Sequence, residues 1–235
     1  MTPQAAQAMA AAAALLLAAA ARADGADPDP ALRAFAKPAP TVARTGPPDP
    51  VAWERQQRTP DRLGPTPLRP QDRALLATLR EGRWADALTL VKAGAAVNAR
   101  DELGSHPLAL AAAAGRDELV RELLQRGAAP DRVGEDGFTA LGAAAWRGQR
   151  STVRLLLRSG ASAAAWGHNG HTPLHLAAVA GHADVVDDLL RTGVSIELLN
   201  RARESALDVA ANAAQDAVMD RLIQGGADMT MAGRR

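Results

Sequence analysis

The stretch Thr172-Pro173-Leu174-His175-Leu176-Ala177-Ala178, followed by Gly181-His182, Val185-Val186 and Leu189-Leu190, decides how this chain folds. Thr172 can cap a helix whose first position, Pro173, has its φ already set and needs no amide donor there. Leu174, Ala177 and Ala178 then fall on one helical face. Gly181 ends the helix in a conformation other residues resist, and the second apolar run supplies an antiparallel partner. The unit is a helix, a tight turn and a second helix.

The unit recurs every 33 residues. One period back from Thr172 stands Thr139, with Thr139-Ala140-Leu141-Gly142-Ala143-Ala144, and two periods back His106, with His106-Pro107-Leu108-Ala109-Leu110-Ala111-Ala112. One period forward lies Ser205-Ala206-Leu207-Asp208-Val209-Ala210-Ala211. The helix-ending glycine is kept as Gly82, Gly115, Gly148 and Gly181 and becomes Ala214 in the last copy. The closing apolar pairs Leu90-Val91, Leu123-Leu124, Leu156-Leu157, Leu189-Leu190 and Leu222-Ile223 are each trailed by a glycine: Gly94, Gly127, Gly160, Gly193 and Gly226.

Period, turn glycines and paired leucines together resemble the ankyrin repeat, a unit of 33 residues containing Thr-Pro-Leu-His-x-Ala. The resemblance covers about residues 71–231 and implies an all-α solenoid of stacked helix-turn-helix units with short β-turn tips. Five copies follow, at about 71–99, 100–132, 133–165, 166–198 and 199–231. In the first, helices over roughly Asp72 to Arg80 and Arg83 to Lys92 place Leu75, Leu79, Trp84, Leu88 and Leu90 for burial. The first copy lacks the preceding turn and reads as an amino-terminal cap. The fifth puts Arg203 at the turn glycine, Ala206 at the proline and Ala214 at the helix-ending glycine, and reads as the other cap. Met229 to Arg235 should fray.

Ahead of the repeats, the apolar run Ala8 to Ala21, centred on Leu15-Leu16-Leu17, has the length of a signal h-region and is too short to span a bilayer. Ala21-Arg22-Ala23 offers a signal peptidase small residues, so cleavage is expected between Ala23 and Asp24 and the product is expected in the periplasm or secreted. Met1 to Gln7 carry no Lys or Arg, which departs from the usual n-region. Loss of Arg22 would bring the formal charge from +1 to zero. Residues 24–70 hold 11 of the 15 prolines and no hydrophobic period, the pattern of an extended solvated linker. Within it Val51 to Arg58 either forms two helical turns that dock Trp53 on the first repeat or stays part of the tether.

Composition and motifs narrow the function. A charge of +1 predicts neither nucleic acid nor anionic lipid as partner. With no cysteine there are no disulfides, thiolate nucleophiles or sulfur-bound metals. No phosphate-binding, dinucleotide, metalloprotease or calcium signature occurs, so no catalytic residue, cofactor or small-molecule substrate is expected. His168, His171, His175 and His182 fall within fifteen residues. The resemblance places His175 and His182 at consensus positions, with His175 bonded to the Thr172 hydroxyl. His168 and His171 are then left on an exposed turn, either as partner contacts or as an alternative metal-handling pair.

The resemblance also implies where a partner protein would bind: the turn tips, the two residues before the helix-ending glycine, and the residue opening the next turn. Those positions are Glu102, Leu103, Glu135, Asp136, Phe138, Trp146, Arg147, Trp166, His168, Asn169, His171 and Arg201, with Glu204 nearby. They would form a concave strip together with the exposed side of each first helix. Trp146 with Arg147 makes a typical anchor pair, whereas burial between repeats is the competing placement for Phe138 and Trp166. The expectation is a monomeric, non-catalytic module that binds a protein partner and meets a membrane only through an uncleaved leader. A cytosolic regulator is the alternative should the leader be retained.

Overall fold

The computed structural model describes residues 68–100, 104, 106–134, 137–167 and 170–227. The expected leader, nearly all of the linker, and the terminal tail from 228 onward lie outside the described residues. Among those described there are ten helices and no strand. They come in pairs: α1 (Pro70–Arg80) with α2 (Trp84–Lys92), α3 (Pro107–Ala113) with α4 (Asp117–Gln125), and α5 (Ala140–Trp146) with α6 (Arg150–Arg158). The last two pairs are α7 (Pro173–Val179) with α8 (Ala183–Leu190), and α9 (Ala206–Asn212) with α10 (Asp216–Gln224). First helices stack on first helices and second on second, the contacts being the more extensive along the alanine-rich first row. Small side chains let those axes approach closely, which is the packing the composition asks for.

Each hairpin of helices turns on a residue with positive φ. Gly82, Gly115, Gly148 and Gly181 have φ of 72°, 67°, 66° and 79°, and Ala214 follows them to 53°. The next repeat leans on this turn. A Cβ on Gly148 would lie 2.7 Å from the His182 ring, and one on Gly115 2.4 Å from the Gln149 amide. Gln149 Nε2 donates to the Ala113 carbonyl at 3.5 Å, His182 Nε2 to Trp146 at 3.0 Å, and Gln215 Nε2 to Val179 at 3.5 Å. His182 is thereby explained as a structural tie between repeats.

The core runs the length of the stack. Leu75, Leu79, Val120, Leu123, Leu141, Val153, Leu156, Leu174, Val186, Leu189, Val218 and Leu222 are fully buried. In α2 the buried stripe is Ala87 and Val91, with Trp84, Leu88 and Leu90 packed half-buried at its margin. The expectation that Trp84, Leu88 and Leu90 would be buried is corrected: among the described residues no repeat precedes α1, so the far side of α2 has no neighbour to cover it. Helix α1 starts earlier than expected, with Pro70 at its first position.

A second set of ties joins the loops that follow the second helices. Asn98 donates from Nδ2 to the Gly127 carbonyl at 3.0 Å and accepts from the Ala129 amide at 3.1 Å. Asp131 accepts from the Ser162 amide at 2.8 Å. At the front end Arg69 and Gln71 donate to the Gly94 carbonyl while Asp72 accepts from the Ala96 amide, so the first turn of α1 substitutes for a preceding repeat. Ala164, next in register, has no polar atom to offer Gly193 and Ser195. A shallow depression of about 330 Å³ opens there, between Leu157, Ala164 and Gly193.

On the second helices a buried carboxylate locks repeats three and four. Asp188 receives Arg154 Nε and Arg150 Nε at 2.7 Å each, and Arg191 at 2.9 Å. Burial alone would push its carboxyl up. The hydrogen bonds and positive charge of Arg154 and Arg150 outweigh that and hold it at about 2.

Candidate functional site

The turn tips are built by a short backbone circuit. Gly134 N–H donates to the Phe138 carbonyl at 3.1 Å and Gly137 N–H to the Gly134 carbonyl at 2.9 Å. Gly167 with His171 and Gly170 with Gly167 repeat the pattern at 3.0 and 2.9 Å, and Asn200 with Glu204 and Arg203 with Asn200 at 2.9 and 3.0 Å. The closing residue of each turn is left-handed: Gly137 at 85°, Gly170 at 69°, and Arg203, without glycine's freedom, at 62°. Asn200 Oδ1 accepts from the Ala202 and Glu204 amides at 2.8 and 2.9 Å, which holds the fifth turn despite the arginine. Successive turns touch backbone to backbone, since a Cβ on Gly167 would lie 2.2 Å from the Gly137 carbonyl oxygen and one on Gly170 2.9 Å from the Arg201 amide.

Onto this frame the expected partner residues fall in two rows. Phe138 and Trp166 are half-buried at the turn bases, and Arg201 is exposed on the fifth turn. Trp146 and Arg147 are half-buried at the other end of α5. Seven residues at 1.5 Å each put about 10 Å of helix between the rows. Glu102, Leu103, Glu135, Asp136, His168 and Asn169 lie outside the described residues.

Two expectations are corrected. The first helices of the middle three repeats do not offer an exposed side: every residue from Pro107 to Ala113, Ala140 to Ala145 and Pro173 to Ala178 is buried, whereas α1 exposes Arg73 and Ala77 and α9 exposes Ala211 and Asn212. Alanine side chains are too short to rise past the flanking repeats, so only helix ends such as Trp146 and Val179 reach the surface. Nor is His171 on an exposed turn. It is half-buried, with its ring edge-on to His175 at 5.8 Å and 67°. Burial, helped by the neighbouring His175, pushes its pKa down to about 4.

His175 is held as expected. Its Nδ1 faces the Thr172 hydroxyl at 2.8 Å and the Thr172 amide at 3.3 Å, and its Nε2 faces the Glu204 carbonyl at 3.0 Å. An amide can only donate and a carbonyl only accept, so the proton is on Nε2 and Nδ1 accepts. The ring ties the start of α7 to the next turn, and burial lowers its pKa. Among the described residues no three His, Asp or Glu side chains gather in a way that could hold a metal ion.

The sequence reading did not single out one further feature at the helix ends. Arg116 stands where Gln149, His182 and Gln215 stand in later copies, and lays its guanidinium over the Trp84 ring, 5.2 Å from its centroid. A cation at that register position, with a tryptophan 32 residues earlier, was the available signal.

A rigid helical stack with its variable side chains at turn tips and helix ends, and a floor of buried alanine between, defines a solenoid protein of the interaction type. The family model for ankyrin repeats in three copies matches residues 76–165, and that for the single ankyrin repeat matches residues 169–201. Together they span just over half of the chain, which belongs to the ankyrin repeat family. Ankyrin repeats are protein–protein interaction modules. Beyond residue 201 the fifth helix pair continues the stack without matching either model, as its replaced glycines lead one to expect. A search of the curated proteins finds no match.

Proposed function

We propose that this chain is a non-catalytic adaptor that binds a protein partner through the turn row and the helix-end row of its repeats, and that it does so after export, in the periplasm. The observation that carries the binding reading is Trp146 with Arg147. A large aromatic and a guanidinium sit half-buried at the end of α5, while the equivalent positions one repeat away hold only Ala113-Ala114 and Val179-Ala180. An indole standing between such small neighbours offers apolar area on a surface that is already ordered, so little conformational entropy is lost on docking. Export rests on the sequence from Ala8 to Ala23.

The test is capture from native envelope extract with the full chain, wild type against Trp146→Ala/Trp166→Ala. Loss of a captured protein with an unchanged thermal melt supports the reading. Retention of that protein by the double variant, or a collapse of the melt as severe as that of Leu156→Ala, overturns the surface assignment. For export, mass spectrometry of the mature protein should find a chain starting at Asp24, and a chain starting at Met1 refutes cleavage.

A further inference from the structure

We propose that the helix-end row of the first three repeats recognises carboxylates, so that the partner presents an acidic polypeptide segment to Arg116, stacked on the Trp84 indole, and to Arg147, next in sequence to Trp146. This deepens the binding reading above and rests on it.

Most guanidiniums of the described residues have an acceptor. Arg69 pairs with Asp72, Arg83 with Glu81, Arg126 with Glu122, Arg150, Arg154 and Arg191 with Asp188, and Arg221 with Asp187. Those without an ion pair among the described residues include Arg73, Arg121, Arg158 and Arg203, all exposed and therefore solvated. Arg116 and Arg147 differ from these: they are half-buried, and neither has a carboxylate among the described residues. Arg116 Nε and Trp84 Nε1 are moreover buried atoms with no hydrogen-bond acceptor. At the same register position Gln149, His182 and Gln215 each give their N–H to a backbone carbonyl. Arg116 lies on an indole face instead, which stabilises the charge but accepts no hydrogen bond.

A partly desolvated guanidinium with idle donors calls for an anionic, planar acceptor, and a carboxylate matches its fork. The nearby carboxylates have partners of their own: Arg83 holds Glu81 at 2.8 Å and Asp86 at 3.4 Å, and Asp117 accepts from the Thr152 hydroxyl. The cationic stretch then stops: the fourth and fifth repeats carry Val179-Ala180 and Asn212-Ala213 where the third has Trp146-Arg147, and His182 and Gln215 where the second has Arg116. Two cations about one helix spacing apart, ~8–10 Å, match acidic side chains three residues apart on a polyproline II segment, whose three-residue turn rises roughly 9 Å and keeps them on one face. A site this short, on a chain of formal charge +1, is poorly suited to a nucleic-acid backbone, whose binding grows with the number of phosphates neutralised.

The experiment is titration of the full chain with two synthetic peptides, one with Glu at every third position and Leu between, the other with Gln in place of Glu, followed by calorimetry in low and moderate salt. The acidic peptide should bind saturably and the Gln peptide about tenfold or more weaker. Arg116→Gln/Arg147→Gln should lose the acidic preference, while Arg158→Gln, an exposed arginine on α6, should keep it. Equal weakening by Arg158→Gln, no effect of the double variant, or stronger binding of an oligonucleotide of equal charge overturns the proposal. If Arg116→Gln fails to fold by circular dichroism, Arg147→Gln alone is read, with the same expectation at reduced size. Should the peptide fail while the extract still yields a protein dependent on Trp146 and Trp166, the acidic chemistry is wrong and the binding module stands. If both fail, the module reading falls with it.

Discussion

Replacing Ala214 by glycine should make this protein more stable, although it deletes a methyl group. Ala214 sits at φ 53°, the place where four earlier repeats keep glycine at 66–79°. A left-handed conformation costs an L-residue roughly 1–2 kcal/mol. Glycine avoids that cost but gives back roughly 0.4–1 kcal/mol through the larger freedom of its unfolded chain. The side chain at 214 is exposed, so no packing is lost. The net expectation for Ala214→Gly is a gain of about 0.5–1 kcal/mol. The reciprocal change, Gly148→Ala, combines the same backbone cost with a Cβ placed 2.7 Å from the His182 ring. It should cost about 2–3 kcal/mol, because the ring must move off its bond to the Trp146 carbonyl. Urea titration by circular dichroism, with the midpoint and slope fitted separately, measures both. A destabilised Ala214→Gly or an unaffected Gly148→Ala would refute the account of these turns.

Three further outcomes are expected. Ala164→Asn should supply the missing tie to the Gly193 carbonyl and Ser195 amide and raise stability by about 1 kcal/mol, read as a shift in the urea midpoint. Asp188→Asn should cost about 2 kcal/mol at pH 7, from a carboxyl held at about 2 against an ordinary 3.8. Because that pKa is depressed on folding, the wild-type contribution is present above pH 4 and lost as pH falls towards 2, which acid titration of the two proteins will separate. His171 is kept neutral by burial, with its pKa lowered from 6.5 to about 4. The unfolded chain takes up the proton first, so stability should decline from pH 6.5 down to about 4 and then level off. His171→Gln should flatten that decline in a pH series of thermal melts.

The fold was legible because a repeat writes its register many times over. Period, capping residue and left-handed glycine are local signals, and even the departures at Arg203 and Ala214 could be located from the neighbouring copies. What escaped is what depends on packing between copies. That the first helices of the middle three repeats are covered along nearly their whole length follows from how close alanine lets them approach, which no single copy states. The inward turn of His171 comes from its packing against His175. The Arg116 stack on Trp84 and the bonds of Arg150 and Arg154 to Asp188 join residues 32 to 38 positions apart, where hydrophobic periodicity carries no information about which cation meets which ring or carboxylate. Part of the turn row, including Glu102, Leu103 and His168, lies outside the described residues and is known from the sequence alone.

The bonds from Gln149, His182 and Gln215 all run backward, from a later copy to the helix end of the one before. Along this edge the copies are therefore laid like roof tiles, each overlapping its predecessor, while His175 and Asn98 elsewhere reach forward to Glu204 and Gly127. At this edge, trimming from the carboxyl end bares a carbonyl that water can serve, whereas trimming from the amino end strands a Gln or His side chain that has lost its seat. A chain made from its amino terminus onward always finds the lower tile in position before the upper one arrives.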